Sequence, residues 1–92
     1  MEIVINGAVY DTGSSEELYS GGCYQACSRE NGRLTLYRSP KGTLWAMLDW
    51  WPNEFAPMRR ECVAGEAAVR RLCESVQNTT ALRAAFGPLP EG

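Results

Sequence analysis

The side chains best suited to chemistry in this 92-residue chain are the tandem Trp50-Trp51 before Pro52 and two arginine doublets, Arg59-Arg60 and Arg70-Arg71. The chemistry they offer is recognition. Adjacent residues of a strand point to opposite faces, so one tryptophan is expected in the core. The other, beside Pro52 and the loop NEFAP, is an aromatic anchor of the kind enriched in binding hot spots. Arginine makes planar, bidentate contacts with carboxylates and phosphates, and eight of the nine basic residues are Arg. With Arg29, Arg33 and Arg38, the last near Lys41, the doublets could form a basic stripe across one sheet face, suited to a nucleic-acid backbone or an acidic protein groove. Glu30, Glu54, Glu61 and Glu74 are interleaved with them, which equally fits a mutually neutralised surface.

Catalysis finds little support. The chain has no histidine, the usual base for a Ser or Cys nucleophile. It has no phosphate-cradling GxxxxGK[ST], no GxSxG and no carboxylate cluster at metal-binding spacing. Glu16-Glu17 reads as the acidic first turn of a helix. The four cysteines, Cys23, Cys27, Cys62 and Cys73, lack the paired spacings of common zinc sites. On a strand, Cys23 and Cys27 would share a face about 13 Å apart at ~3.3 Å per residue, too far for one metal or a disulfide. On a helix they would be neighbours, and four thiols could converge. Structural thiols are the favoured reading, with no enzyme activity, cofactor, metal or small-molecule substrate expected.

These side chains must be positioned by a single small domain, since 92 residues with 45% hydrophobic content suffice for one core. Its centre is the stretch Arg33 to Trp51, two apolar strands joined by Ser39-Pro40-Lys41-Gly42, where Pro suits a type I turn and Gly a following bulge. Leu44, Ala46 and Leu48 share one face of the second strand and Trp45 and Met47 the other. Both faces are apolar, so this strand must be central or covered on both sides. Pro52 ends it.

Elsewhere, Asn6-Gly7 predicts a hairpin between residues 3–5 and 8–10. Ser14 with Glu17 has capping-box spacing and predicts a short helix through Leu18 and Tyr19, stopped at Gly21-Gly22. Residues 23–30, then Asn31-Gly32, then Leu34 and Leu36 read as strand, tight turn, strand. Met58 to Val63 returns as an edge strand. Val69, Leu72, Cys73 and Val76 form the buried stripe of a helix from about Gly65 to Val76, with Arg70, Arg71 and Glu74 facing water. Thr79 or Thr80 caps a last helix with Leu82, Ala85 and Phe86 inward, stopped by Gly87-Pro88, and the tail from Pro88 to Gly92 lies on the surface. The fold class is therefore α+β: a three- to four-stranded antiparallel sheet, formed chiefly by residues 24 to 50, with two or three short helices packed mainly on one face.

The formal net charge of −2 is uneven. Residues 1–28 carry four acids and no base, whereas residues 29–92 carry nine bases against seven acids. No segment approaches the roughly 20 apolar residues of a membrane span, and MEIVINGAVY lacks the features of a signal peptide, so a cytosolic protein with no membrane partner is expected.

The order Val9-Tyr10-Asp11-Thr12, then Leu36-Tyr37-Arg38 with a Pro-Lys-Gly turn and an aromatic strand, then two closing helices ending in Phe86-Gly87, resembles a group of small phage and mobile-element proteins. The likeness runs from about Gly7 to Gly87. Gly13-Ser14-Ser15 and Trp50-Trp51-Pro52 depart from the group's pattern. Some proteins of this type are anti-CRISPRs. The resemblance implies a stoichiometric inhibitor that binds Cas proteins of a type I crRNA-guided complex, type I-F first, touches crRNA or the basic channel that holds it, and blocks target DNA. Trp50, Trp51, Arg59 and Arg60 are then the expected contacts, with Arg38 and Arg70 next. A small nucleic-acid-binding regulator is the alternative.

Overall fold

Asn6 and Gly7 adopt φ angles of 51° and 81°, the pair of left-handed positions that a two-residue hairpin turn requires. The turn folds Glu2–Ile5 (β1) back on Ala8–Asp11 (β2), with Ile3 opposite Tyr10 and Val4 opposite Val9. The computed structural model describes residues 1–23, 32–52 and 55–92. Beyond the hairpin, Glu16–Cys23 (β3), Gly32–Arg38 (β4), Leu44–Trp50 (β5) and Arg59–Ala64 (β6) form one antiparallel sheet in the order β3-β4-β5-β6. Two helices follow, Glu66–Ser75 (α1) and Thr79–Phe86 (α2).

The short helix expected after Ser14 is instead β3. Ser14 does not cap: its hydroxyl donates back to the Asp11 carbonyl at 3.5 Å, while the Ser14 and Ser15 amides donate to the same carbonyl in a turn. A helix of two turns is unstable alone, whereas the free edge of β4 offers a ladder to residues 16–23, pairing Glu17 with Tyr37 and Tyr19 with Leu36. A bulge between Glu17 and Tyr19 adjusts the register. Gly21 does not stop a helix. The Tyr19 ring lies against its backbone, where a Cβ would collide with that ring. Gly32 is already strand, opposite Cys23. The strand and turn expected through residues 23–31 lie, beyond Cys23, outside the described residues.

The turn between β4 and β5 is the one the sequence specifies. Gly42, at φ 88°, donates its amide to Ser39 O at 2.8 Å, and the Ser39 hydroxyl accepts from the Thr43 amide at 3.1 Å. It sets Leu36 opposite Ala46 and Tyr37 opposite Trp45. The alternation of β5 then divides two cores. Leu44, Ala46 and Leu48 join Leu34, Leu36, Val69, Leu72, Cys73, Val76, Ala81 and Leu82 under the helices. Trp45 and Met47 join Tyr37 and Ile5 on the opposite face, with Ile3, Tyr10, Cys62 and Ala64 packed around them. The β1-β2 hairpin therefore covers the second face, a role its sequence did not announce.

Arg70, Arg71 and Glu74 of α1 face water as expected. The cap of α2 is Asn78, not Thr79 or Thr80: its side-chain carbonyl accepts from the Ala81 amide at 3.0 Å. Asparagine one position earlier reaches the third helical amide and outranks threonine as a cap. Gly87, at φ 80°, closes the helix by donating to Arg83 O at 2.9 Å. The tail is not wholly superficial, because half-buried Leu89 packs on the helix-side core.

Candidate docking surface at one end of the sheet

Pairing of Trp50 with Arg59 fixes the end of the sheet where β5 leaves and β6 returns. Trp50 lies on the helix-side face and packs half-buried against the core beneath α1 and α2. Trp51 comes after the last strand residue and is 41% exposed. The two rings thus divide as strand alternation requires, one to the core and one outward. The connection adds Phe55, 90% exposed, and Met58, 41% exposed. Asn53 and Glu54 lie outside the described residues, so the expected loop is seen only in part. Sequence reasoning had not singled out Phe55 or Met58 as contacts. Their signal is an aromatic and a thioether bracketing Pro57, in a stretch without the alternation that would bury them.

Arg59 and Arg60 point to opposite faces of β6. Arg59 shares the helix-side face with Trp50, opposite it in register. Arg60 faces the hairpin side, where its Nε and Nη2 donate to the two Asp49 oxygens at 2.6 and 3.1 Å. Its Nη1 lies 3.4 Å from the Met1 sulfur. The bond to Asp49 holds the Arg60 pKa above its ordinary value, outweighing partial burial. Arg33 is opposite Asp49 on the other side, so Arg33, Asp49 and Arg60 occupy one row across the sheet.

The remaining expected contacts do not converge here. Arg38 sits at the other end of β4, opposite Glu16 and Leu44, and donates through Nη1 to Gly42 O at 3.1 Å. From Leu44 to Trp50 the strand advances about 20 Å. Arg70 is on α1, its guanidinium carbon 4.1 Å from the Phe86 ring centroid in a cation–π contact. A basic stripe across one sheet face is therefore not formed by the described residues: alternation separates Arg59 from Arg60, and Asp49 interrupts Arg33 and Arg60. Arg29, the stripe's other member, lies outside them.

The cysteines separate as well. Cys73 is buried in the helix-side core and Cys62 packs on the hairpin side, so the sheet stands between them. Burial pushes the Cys62 thiol pKa up, the neighbouring Arg60 only partly opposing it, which keeps the thiol protonated and a weak nucleophile. Cys27 lies outside the described residues, among which no group of three or more His, Cys, Asp or Glu can hold a metal. No helix there is long and apolar enough to cross a membrane.

Two concavities complete the surface. A cleft of about 370 Å³ between β2 and the Ser39–Thr43 turn is lined by Tyr10, Asp11, Ser14 and Lys41 among others. Asp11 is already committed there, accepting from the Gly13 amide at 3.0 Å and the Met1 ammonium at 3.1 Å, which together lower its pKa. A second groove of about 310 Å³ runs between β6 and α1, floored by Val63, Ala68 and Leu72 with Glu61 and Arg71 at its rim. Comparison of the chain with protein-family models, with curated proteins and with solved structures finds no match.

Proposed function

We propose that this protein acts by binding and without chemistry, as an anti-CRISPR that occupies Cas proteins of a type I crRNA-guided complex in the bacterial cytosol and keeps target DNA from engaging. The identity rests on the sequence resemblance. The observation that carries the binding mode is the concentration of Trp51, Phe55 and Met58, all solvent-facing, at one end of an otherwise well-covered sheet. Aromatic and thioether side chains of this kind supply the buried centre of protein interfaces. Trp50 and Arg59 back this end from the helix side, and Arg60 with Asp49 forms a fixed polar border on the other. Arg38 and Arg70 lie away from it and would serve a wider footprint.

The nucleic-acid regulator is less well supported, because Arg60 is neutralised by Asp49 and its neighbour Arg59 faces the opposite side. The test is co-purification of the tagged protein with crRNA-loaded type I complexes, followed by target-DNA binding. Retention with loss of DNA binding is expected, and Trp51→Ala with Phe55→Ala should abolish retention while leaving circular dichroism unchanged. Complexes that neither retain the protein nor lose DNA binding would end the inhibitor reading. Tight association with free RNA or DNA, falling steeply with salt, would favour the regulator instead.

A further inference from the structure

The groove between β6 and α1 owes its shape to Gly65, which at φ 97° turns the chain from strand into helix as a single linking residue. Glu61 lies before that turn and Ser75 at the far end of the helix, yet both line the groove, so α1 runs back along β6. The floor is aliphatic, made by Val63 of the strand and by Ala68 and Leu72 of the helix. Glu61 already has a partner, and the Ser75 hydroxyl donates to Leu72 O at 2.6 Å. Arg71 differs from both. It stands exposed on the helix wall and joins no ion pair among the described residues. Arg59, on the same face of β6 as Glu61 and Val63, is likewise exposed and outside any such pair. At about 100° per residue, Glu66 falls on the opposite flank of α1 and Glu74 on its outer side, so neither enters the groove.

We infer that this groove receives an acidic, aliphatic segment of a partner protein, with carboxylates on Arg71 and Arg59 and aliphatic side chains on Val63, Ala68 and Leu72. The inference deepens the docking reading above and rests on it only in that the protein acts by binding. Charge and apolarity select the occupant together. Guanidinium groups take carboxylates bidentately, but an exposed pair adds little alone, so burial on the floor must supply the rest. A nucleic-acid backbone could meet the arginines, yet the groove lining offers no aromatic ring for a base to stack on. Arg59 is opposite Trp50 in register and follows the exposed Met58, so the groove opens onto the docking end. One partner can cover both.

The probe is a short fluorescein-labelled peptide of alternating glutamate and leucine, titrated with the full chain and followed by fluorescence anisotropy. Saturable binding is expected. Arg71→Glu should weaken it about tenfold, one pair turning from attractive to repulsive. Ala68→Phe, which fills the groove, should abolish it with far-ultraviolet circular dichroism unchanged. A peptide of alternating glutamate and serine, which keeps the charge and loses the apolar contact, should bind about tenfold more weakly or worse. Absence of binding by the glutamate–leucine peptide at millimolar concentration overturns the proposal, as does binding unmoved by Arg71→Glu. It is also overturned if the glutamate–serine peptide or oligouridylate binds as well, or if amide shifts at Val63 and Leu72 in peptide-free protein grow with concentration, which would give the groove to a second copy. If Ala68→Phe fails to fold, Arg71→Glu and the serine peptide decide. Type I complexes that ignore the protein while the peptide binds would end the inhibitor reading and leave this one standing.

Discussion

Trp45 offers the sharpest test of the two-sided core. It is fully buried, stacked on Tyr37 with centroids 4.4 Å apart, tilted against Tyr10 at 5.4 Å, and its indole N–H donates to the Ser15 hydroxyl at 3.1 Å. Trp45→Phe keeps an aromatic ring but loses that bond, about 1 kcal/mol. It also loses two buried ring carbons, about another 1.5 kcal/mol at ~0.8 kcal/mol each. The expected cost is therefore about 2.5 kcal/mol, or ~10 °C or more in melting temperature for a domain of this size. Trp45→Ala, which leaves a cavity beneath the hairpin, should cost about 3–5 kcal/mol. Urea unfolding followed by far-ultraviolet circular dichroism measures both, with Ser15→Ala to isolate the hydrogen bond and the double variant to give the coupling. If Trp45→Ala costs less than about 1 kcal/mol, the hairpin face is not a packed core and the two-sided description fails.

Three further outcomes follow from local contacts. Asn78→Ala should cost about 1 kcal/mol by denaturant unfolding, since it removes the α2 cap; Asn78→Asp should recover most of it while still lacking the amide that donates to the Tyr19 hydroxyl at 3.1 Å. The Asp11 carboxyl is held below 3.8, first by the Gly13 amide and then by the Met1 ammonium. A depressed carboxyl contributes stability that is full above its unfolded value and lost as pH falls through the folded one, so Asp11→Asn should flatten the stability–pH curve below about pH 4 and leave its shape near neutrality unchanged. In a thiol-labelling time course, Cys73, fully buried, should react only on unfolding, whereas half-buried Cys62, its thiol pKa raised, should react slowly in the native state and faster at alkaline pH.

Much of the scaffold is legible because it depends on neighbours in sequence. Asn6-Gly7 and Ser39–Gly42 specify their turns through φ angles and one short hydrogen-bonded loop, and the apolar run of β5 announces cover on both faces. Stretch 14–23 misleads for the converse reason. Ser14 and Glu17 have the spacing of a cap, and the free edge of β4 that overrides it lies far along the chain. Nothing local in Ile3 or Tyr10 says that the hairpin will be the second cover. The candidate site was half legible. Alternation requires Trp50 and Trp51 to part, but which one enters the core depends on the phase of β5, set by its register with β4. The arginine doublets were less readable still, since only the pairing of Asp49 with Arg60 reveals that one member is already neutralised.

The same phase that fixes the core also limits where a partner can bind. Among the described residues both broad faces of the sheet carry cover, one α1 and α2 and the other β1 and β2, with a groove left between β6 and α1. An additional protein therefore finds the sheet open at that groove, at its ends and at its edges. One end is closed by the tight Ser39–Thr43 turn, with Arg38 donating into it. The opposite end carries the exposed Trp51, Phe55 and Met58, and it adjoins the regular edge of β6. That end is apolar and side-chain based, so Trp51→Ala should weaken the binding of a partner there while leaving far-ultraviolet circular dichroism unchanged.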